Sequence, residues 1–262
     1  DGNLIAVGED NRIAKLYKRS DWSLVREFTF ESGWCGGCYT IPLFSDNGQY
    51  LYMGSHNGPL KRYNLNSVTV DKTYEAESDD LADIAISPDG KWLTRTSEKS
   101  IAVFDAESGK QLHQEVIDKG ALHAVRFTSA NEVLIGSDDN VAFSWQIKDG
   151  KRRYVLSGML NERDQGGLNY DPNFYWQQSI ARYIRFKNSI LISRDGKSLI
   201  KGKFGKKLRR WDIATGKNIM EYAAHDVAPL CYQLSRDGKR LISVGGDGKV
   251  LLWDLESGKV LQ

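Results

Sequence analysis

One pattern recurs along most of this chain: an apolar strand, a glycine-rich turn and a second apolar strand that ends in an aromatic residue. It is clearest at Leu241–Asp254, where the sequence is LISVGGDGKVLLWD. The aromatic position recurs at Tyr17, Tyr63, Phe104, Trp145, Trp211 and Trp253. The successive spacings are 46, 41, 41, 66 and 42 residues. A period of about 40–45 residues with several strands in each unit predicts a β-propeller.

Turn signals separate the short strands within each repeat. Examples are Ser87-Pro88-Asp89-Gly90 and Gly246-Asp247-Gly248, and glycine supplies the positive φ that tight hairpin turns require. Short strands at regular spacing, without helical periodicity between them, predict an all-β fold. We therefore expect a single domain over residues 1–262, built as a β-propeller of four-stranded antiparallel blades.

The first repeat begins part-way through the pattern. Asp1-Gly2 aligns with Asp237-Gly238, the turn that precedes the second strand of the last repeat. On this alignment the first blade lacks its innermost strand. We therefore expect five complete blades and a partial first blade, within a piece of a longer protein whose full ring has seven blades.

These repeats resemble the tryptophan–aspartate (WD) repeat family over nearly the whole chain, most strongly at Val227–Asp254. The family's aspartate after the aromatic residue is present at Asp105, Asp212 and Asp254 and is replaced by Lys18, Asn64 and Gln146. The resemblance implies blades around a central channel. It also implies a structural tetrad of His225, Ser243, Asp247 and Trp253, which satisfies the buried indole N–H.

A histidine, a serine and an aspartate are also the residues of a hydrolase triad. We favour the structural interpretation because all members of the set occupy repeat positions. Further catalytic groups that converge on one pocket are not evident in the sequence. We therefore expect no enzymatic activity, no catalytic residue and no cofactor.

One spacing departs from the period: the interval of 66 residues between Trp145 and Trp211. The excess forms an insert at residues 161–184, with the sequence NERDQGGLNYDPNFYWQQSIARYI. Loops longer than about 12–15 residues are uncommon unless they are functional or disordered. In the WD family, the loop entering a blade and the turn between its second and third strands share one face, the top. We therefore predict a partner-binding surface formed by Tyr170, Phe174, Tyr175, Trp176, Lys203, Lys206 and Lys207.

The charge is unevenly distributed although the net charge is only +2. Residues 194–217 contain nine lysines and arginines against two aspartates, and residues 71–118 contain twelve acidic residues against five basic ones. Our first hypothesis is a protein–protein interaction scaffold that binds a protein or peptide, including other domains of its parent protein. The alternative is binding of nucleic acid or a phosphate ligand through the basic segment.

The cysteines leave one question of chemistry open. Cys35-Gly36-Gly37-Cys38 has the spacing of a redox pair or of half a zinc site. A closed zinc site needs four ligands, and the sequence offers no second pair, so we expect unliganded thiols and no metal. Three cysteines and no Asn-x-Ser/Thr site favour a reducing, cytoplasmic setting. No apolar run reaches the length of a membrane span.

Overall fold

The computed structural model describes residues 2–8, 13–29, 40–55, 58–75, 81–97, 99–117, 122–137, 142–156, 191–193, 195–202, 206–227, 229–235 and 237–262. These residues form β-strands connected by turns, and no helix occurs among them. The prediction of an all-β protein is therefore confirmed.

The strands belong to six antiparallel sheets, which we call blades 1 to 6 in chain order. Blade 1 contains β1 (Leu4–Gly8), β2 (Ile13–Lys18) and β3 (Leu24–Thr29), and blade 2 contains β4 (Thr40–Phe44), β5 (Tyr50–Ser55), β6 (Leu60–Asn64) and β7 (Thr69–Tyr74). Blade 3 contains β8 (Asp83–Ile86), β9 (Trp92–Thr96), β10 (Ser100–Asp105) and β11 (Gln111–Val116), and blade 4 contains β12 (Leu122–Ser129), β13 (Glu132–Ser137), β14 (Ala142–Gln146) and β15 (Lys151–Leu156). Blade 5 contains β16 (Leu191–Ile192), β17 (Ser198–Gly202), β18 (Leu208–Asp212) and β19 (Asn218–Tyr222), and blade 6 contains β20 (Pro229–Leu234), β21 (Arg240–Gly245) and β22 (Val250–Asp254).

The number of blades differs from our expectation. Blades 2 to 5 have four strands, whereas blades 1 and 6 have three. The outer segment of blade 6 is held by an isolated bridge between Trp253 and Val260 and by a 2.7 Å bond from the Leu261 amide to the Leu252 carbonyl oxygen. The described residues thus contain six blades, not five complete blades with a partial one, and the seven blades that we expected are not found among them.

A recurrent serine–aspartate turn links the first two strands of several blades. In blade 3, the Ser87 hydroxyl donates to Asp89 Oδ1 at 2.6 Å and accepts from the Trp92 amide at 2.9 Å. In blade 6, Ser235 makes the same two contacts with Asp237 and Arg240, at 2.6 and 2.9 Å. Such local side-chain bonds satisfy backbone groups that the strands leave unpaired. They fix the register of the first two strands in these blades. We call the end of the blades where these turns lie the lower end.

The core consists of seams between consecutive blades. Five clusters of buried apolar residues join blades 1 and 2, 2 and 3, 3 and 4, 4 and 5, and 5 and 6. None of these five clusters joins blade 6 to blade 1. The buried seams supply most of the free energy of folding, since burial of apolar surface is the dominant favourable contribution.

Blade 6 consequently has one uncovered face. On its second strand, Ile242 is 42% exposed, although the residues at the same repeat position in the four-stranded blades are nearly inaccessible. These are Tyr52 at 2%, Thr94 at 0%, Leu134 at 2% and Ile200 at 0%. Val244 and Val250 pair across the same face of blade 6 and are also exposed. Within the described part of the chain, this face has no neighbouring sheet.

The innermost strands of blades 2 to 6 surround a central channel with a volume of about 610 Å³. Its wall is of mixed character, with apolar residues such as Ile41 and Leu234 and polar residues such as Ser193 and Gln233. Arg126 also lines the channel and forms an ion pair with Asp83 of the preceding blade. The blades are therefore arranged around a shared channel, as expected for a propeller.

Candidate interaction surface

The predicted tetrad residues form one chain of hydrogen bonds in blade 6. Trp253 Nε1 donates to Ser243 Oγ at 2.8 Å, and Ser243 Oγ lies 2.8 Å from His225 Nε2. His225 Nδ1 is 3.2 Å from both carboxylate oxygens of Asp247. Because a carboxylate can only accept, His225 carries a proton on Nδ1 and donates it to Asp247. In the neutral ring, Nε2 then accepts from the serine hydroxyl.

The same residues have no access to a substrate. Ser243 is 0% exposed, Trp253 is 1% exposed and His225 is 4% exposed. The serine hydroxyl already accepts from one ring and donates to another, so both of its hydrogen-bonding roles are occupied. A nucleophile must reach the reacting atom, and a buried hydroxyl engaged in this way cannot. The geometry therefore fits a structural connection and not a hydrolase triad.

The carboxylate of Asp247, at the end of this series of hydrogen bonds, is strongly stabilised in its charged form. Burial by itself raises the pKa of Asp247, but hydrogen bonds from the Asp226 and Lys249 amides and from His225 outweigh that effect and lower the pKa to about 2. The two amide bonds measure 2.8 and 3.1 Å. Asp247 thus ties the loop before β20 to the turn between β21 and β22.

The lowered pKa of Asp247 predicts that the stability of the protein depends on pH. A carboxyl group with a lowered pKa in the folded state stabilises the protein above its unfolded pKa of about 4, and that contribution disappears as the pH falls towards 2. We expect the loss of stability between pH 4 and pH 2 to be smaller in Asp247→Asn than in the wild type. Urea denaturation at several pH values would test this. Equal losses in the two proteins would contradict the assignment.

The contacts of Asp247 define one end of the blades, which we call the top end. The loop before the first strand and the turn between the second and third strands meet there. Blade 5 has the same arrangement in its described part, because β16 begins at Leu191 opposite Ile200, close to the end of β17 at Gly202. The strand ends that flank the insert and the basic turn therefore lie together at the top end of blade 5.

The residues predicted to bind a partner are only partly within the described structure. Tyr170, Phe174, Tyr175, Trp176 and Lys203 lie outside the described residues, as does the whole insert at 161–184. Lys206 and Lys207 are described, and both are exposed at the start of β18. Cys35 and Cys38 also lie outside the described residues. The structure therefore places two of the seven predicted contact residues.

Several cations of blade 5 are paired with carboxylates. Lys207 Nζ and Arg209 Nε each lie 2.8 Å from the carboxylate of Glu221 on the adjacent strand β19. These two cations lower the pKa of Glu221. Arg210 forms a 2.7 Å ion pair with Glu256 of blade 6. The basic segment therefore presents less free positive charge than its composition indicates.

Sequence reasoning missed a set of contacts that cross the seams near the lower end. Arg62 Nη1 and the Tyr74 hydroxyl both donate to the Ala106 carbonyl oxygen of the next blade, at 2.9 and 2.6 Å. Arg210 and Tyr222 repeat the pattern on the Leu255 carbonyl oxygen, at 3.5 and 2.8 Å. The signal was present in the sequence, because an arginine directly precedes the repeat aromatic in both blades. We call these two sets the seam clamps.

The indole N–H of Trp145, the repeat aromatic of blade 4, has a different kind of acceptor from that of Trp253. Trp145 is fully buried, and its Nε1 donates to Glu115 of blade 3 at 2.8 Å. Arg152 holds the same carboxylate at 2.7 Å. A buried indole N–H needs an acceptor, and in this blade the preceding blade supplies it.

The described part of the chain contains neither a cluster of metal ligands nor a helix that could cross a membrane. No group of three or more His, Cys, Asp or Glu side chains is placed there to hold a metal ion. In the same residues, no helix has the length and apolar character to cross a membrane.

Six antiparallel blades around a channel, with an indole–serine–histidine–aspartate connection in the last blade, define a β-propeller of the repeat type. The family model described as "WD domain, G-beta repeat" matches residues 216–254. A relative, autophagy-related protein 16 of Arabidopsis thaliana, is 27% identical over 196 residues, which is 74% of this chain and 33% of that protein. The chain thus spans about a third of the length of this relative. These findings confirm the predicted resemblance to the WD-repeat β-propeller family.

Proposed function

We propose that this chain is a non-catalytic interaction module that binds a protein or peptide partner through the top end of blade 5. WD-repeat propellers act in general as scaffolds for protein partners, and the fold supports that general role here. The observation that carries the finer proposal is the single break in the repeat. The insert enters a blade whose flanking strand ends lie at the same end as Lys206 and Lys207.

The composition of the insert suits a protein contact. Aromatic residues and arginine are enriched in the buried centres of interfaces, where they contribute most of the binding free energy. The insert contains five aromatic residues, namely Tyr170, Phe174, Tyr175, Trp176 and Tyr183. With the exposed lysines beside it, the surface fits a partner segment that is acidic and carries an apolar anchor.

Nucleic-acid binding through residues 194–217 is less well supported. Binding to a phosphate backbone depends on cations that are free to replace counterions. In blade 5, Lys207 and Arg209 share Glu221, and Arg210 is paired with Glu256. These pairs reduce the free positive charge of the segment, and a binding constant with weak salt dependence would distinguish a protein contact from nucleic-acid binding.

The name of the Arabidopsis relative associates that protein with autophagy. We propose that this chain serves as a partner-recruiting propeller in a process of the same kind. The setting that we propose is the reducing cytoplasm, which agrees with the small number of cysteines.

Removal of the insert tests the proposed surface. Replacement of residues 161–178 by a short glycine linker should abolish binding to a partner isolated with the intact chain, because the aromatic anchors are lost. Lys206→Glu with Lys207→Glu should weaken the same binding at least tenfold through charge reversal. Isothermal titration calorimetry with the purified partner would measure both effects.

A matched control comes from the lower end of the same blade. Lys217→Glu changes the same charge at an exposed position and should leave binding unchanged. Undiminished affinity in a folded deletion variant would refute the proposed surface, and equal effects of the top and lower charge reversals would show that only the overall charge matters.

A further inference from the structure

The turn that follows the strand carrying the repeat aromatic contains, in each blade, a position with left-handed backbone geometry. Four blades have glycine there, at Gly109, Gly150, Gly216 and Gly258, with φ between 64° and 77°. Blades 1 and 2 have Trp22 and Val68 instead, with φ of 57° and 53°. These are the two non-glycine residues with positive φ among the described residues.

Side chains other than glycine are strained in this conformation, because the Cβ atom crowds the following carbonyl oxygen. Large and β-branched residues are the most unusual there. Val68 gains a compensating contact, since it packs against the apolar cluster between blades 1 and 2. Trp22 gains no such burial, for 65% of it is exposed. This is the largest exposed fraction among the large apolar side chains of the described residues.

The turn holds Trp22 in place firmly. The Trp22 amide donates to the Lys18 carbonyl oxygen at 3.0 Å, and the Lys18 amide donates to the Ser23 carbonyl oxygen at 2.9 Å. Asp21 accepts from the amide and the hydroxyl of Ser23, at 3.0 and 2.7 Å. These bonds fix the backbone on both sides of the indole. A rigid, exposed aromatic ring loses little conformational entropy on binding.

Exposed apolar and basic residues flank Trp22 in the sequence. Leu24 is 52% exposed and Val25 is 38% exposed on the strand that leaves the turn. Lys18 and Arg19 are exposed within the turn itself. Asp21, in the same turn, accepts from Ser23, and these bonds, with a contribution from Lys18, lower the pKa of its carboxyl group. We call Lys18, Arg19, Trp22, Leu24 and Val25 the Trp22 surface.

We propose that the Trp22 surface is a second protein-binding site, which takes an acidic peptide segment bearing aliphatic or aromatic side chains. Tryptophan is the residue most enriched among the energetically dominant contacts of interfaces. The two cations beside it complement acidic side chains and favour their approach. Strained residues that the fold retains without a packing benefit are concentrated at functional sites, which accounts for a tryptophan where blades 3 to 6 have glycine.

This site is independent of the proposed function at blade 5. The Trp22 turn follows β2, the strand of blade 1 that carries the repeat aromatic Tyr17, so it lies at the lower end of blade 1, opposite to the top end. Loss of binding at one surface therefore leaves the other unaffected. The two proposals can succeed or fail separately.

The test uses peptides displayed on phage, selected on the immobilised wild-type chain. We expect the selected peptides to be enriched in Asp and Glu together with apolar residues, and to bind Trp22→Gly at least tenfold more weakly in fluorescence polarisation. Because glycine relieves the strain, the same substitution should raise the melting temperature by about 2 °C. Loss of binding with a gain in stability separates a binding residue from a structural one.

Val68→Gly is the matched control, since it relieves the same backbone strain in the neighbouring blade and should bind the peptides as the wild type does. Three outcomes would overturn the proposal. They are selected peptides that bind Trp22→Gly unchanged, selected peptides without acidic enrichment, and a lower melting temperature for Trp22→Gly. Trp22-dependent binding to phosphatidylserine vesicles, with no peptide selected, would assign the surface to membranes instead.

Discussion

Ile200→Ala should lower the free energy of unfolding by about 2–5 kcal/mol, whereas Ile242→Ala should cost less than about 1 kcal/mol. The two isoleucines occupy the same repeat position in blades 5 and 6. Ile200 is fully buried in the seam between those blades, and Ile242 is 42% exposed on the uncovered face of blade 6. The substitution therefore opens a cavity at Ile200 but removes side-chain surface already in water at Ile242.

Urea denaturation followed by circular dichroism would measure both variants, with the midpoint and the slope compared to those of the wild type. Leu134→Ala in blade 4 is a further control, because Leu134 is 2% exposed and should behave as Ile200 does. Equal losses for Ile200→Ala and Ile242→Ala would mean that the face of blade 6 is covered. An unchanged midpoint for Ile200→Ala would contradict the seam itself.

The parts of the structure that the sequence predicted are those encoded within a single repeat. The aromatic position marks the end of the third strand, and the observed pairing of Leu241 with Trp253 repeats as Leu199 with Trp211 and Leu51 with Tyr63. The tetrad residues, which the family resemblance implied, also lie within one repeat. His225 and Trp253 belong to one blade, and fixed spacings within a repeat bring them together.

The contacts that sequence reasoning missed cross from one blade to the next. Trp145 and Glu115 are 30 residues apart, and their meeting depends on how two blades pack. The charge of blade 5 was overestimated for a related reason, because Glu221 follows the segment that was counted. The arginine before the aromatic at positions 62 and 210 was visible, but only the packed seam shows which carbonyl oxygen it reaches.

The blade count depended on similarity between repeats and was therefore less secure than the strand pattern. A repeat indicates the strands it contains, but not how many neighbours complete a ring. The uncovered face of blade 6 illustrates this limit. Leu241 is 0% exposed and Ile242 is 42% exposed. Because both side chains are equally apolar, the sequence alone did not indicate that one is buried and the other exposed.

The seam clamp of blade 2 leads to the second large effect that we expect, a loss of about 3 kcal/mol in the free energy of unfolding for Arg62→Ala. Arg62 is only 3% exposed, and its guanidinium group lies 4.2 Å from the ring centre of Tyr50. It also pairs with Asp71 at 2.9 Å and Glu107 at 3.1 Å. Burial lowers the pKa of Arg62, but bonds to these carboxylates outweigh it and raise the pKa above its usual value.

Truncation at Arg62 removes both the packing of a long side chain and several buried hydrogen bonds. Asp71 and Glu107 remain partly in water, with side-chain exposures of 30% and 84%, so no buried charge is left unpaired and the loss stays below that of a stranded ion. Arg62→Met retains much of the volume and should lose about half as much.

Arg210→Ala is the matched control for the clamp, because Arg210 occupies the same repeat position in blade 5. Its side chain is 14% exposed, and its bond to the Leu255 carbonyl oxygen is longer, at 3.5 Å. We therefore expect a loss of about 1–2 kcal/mol there. Urea denaturation would rank the three variants. If Arg62→Met proved as stable as the wild type, packing alone would account for the role of Arg62, and the charged bonds across the seam would contribute nothing to stability.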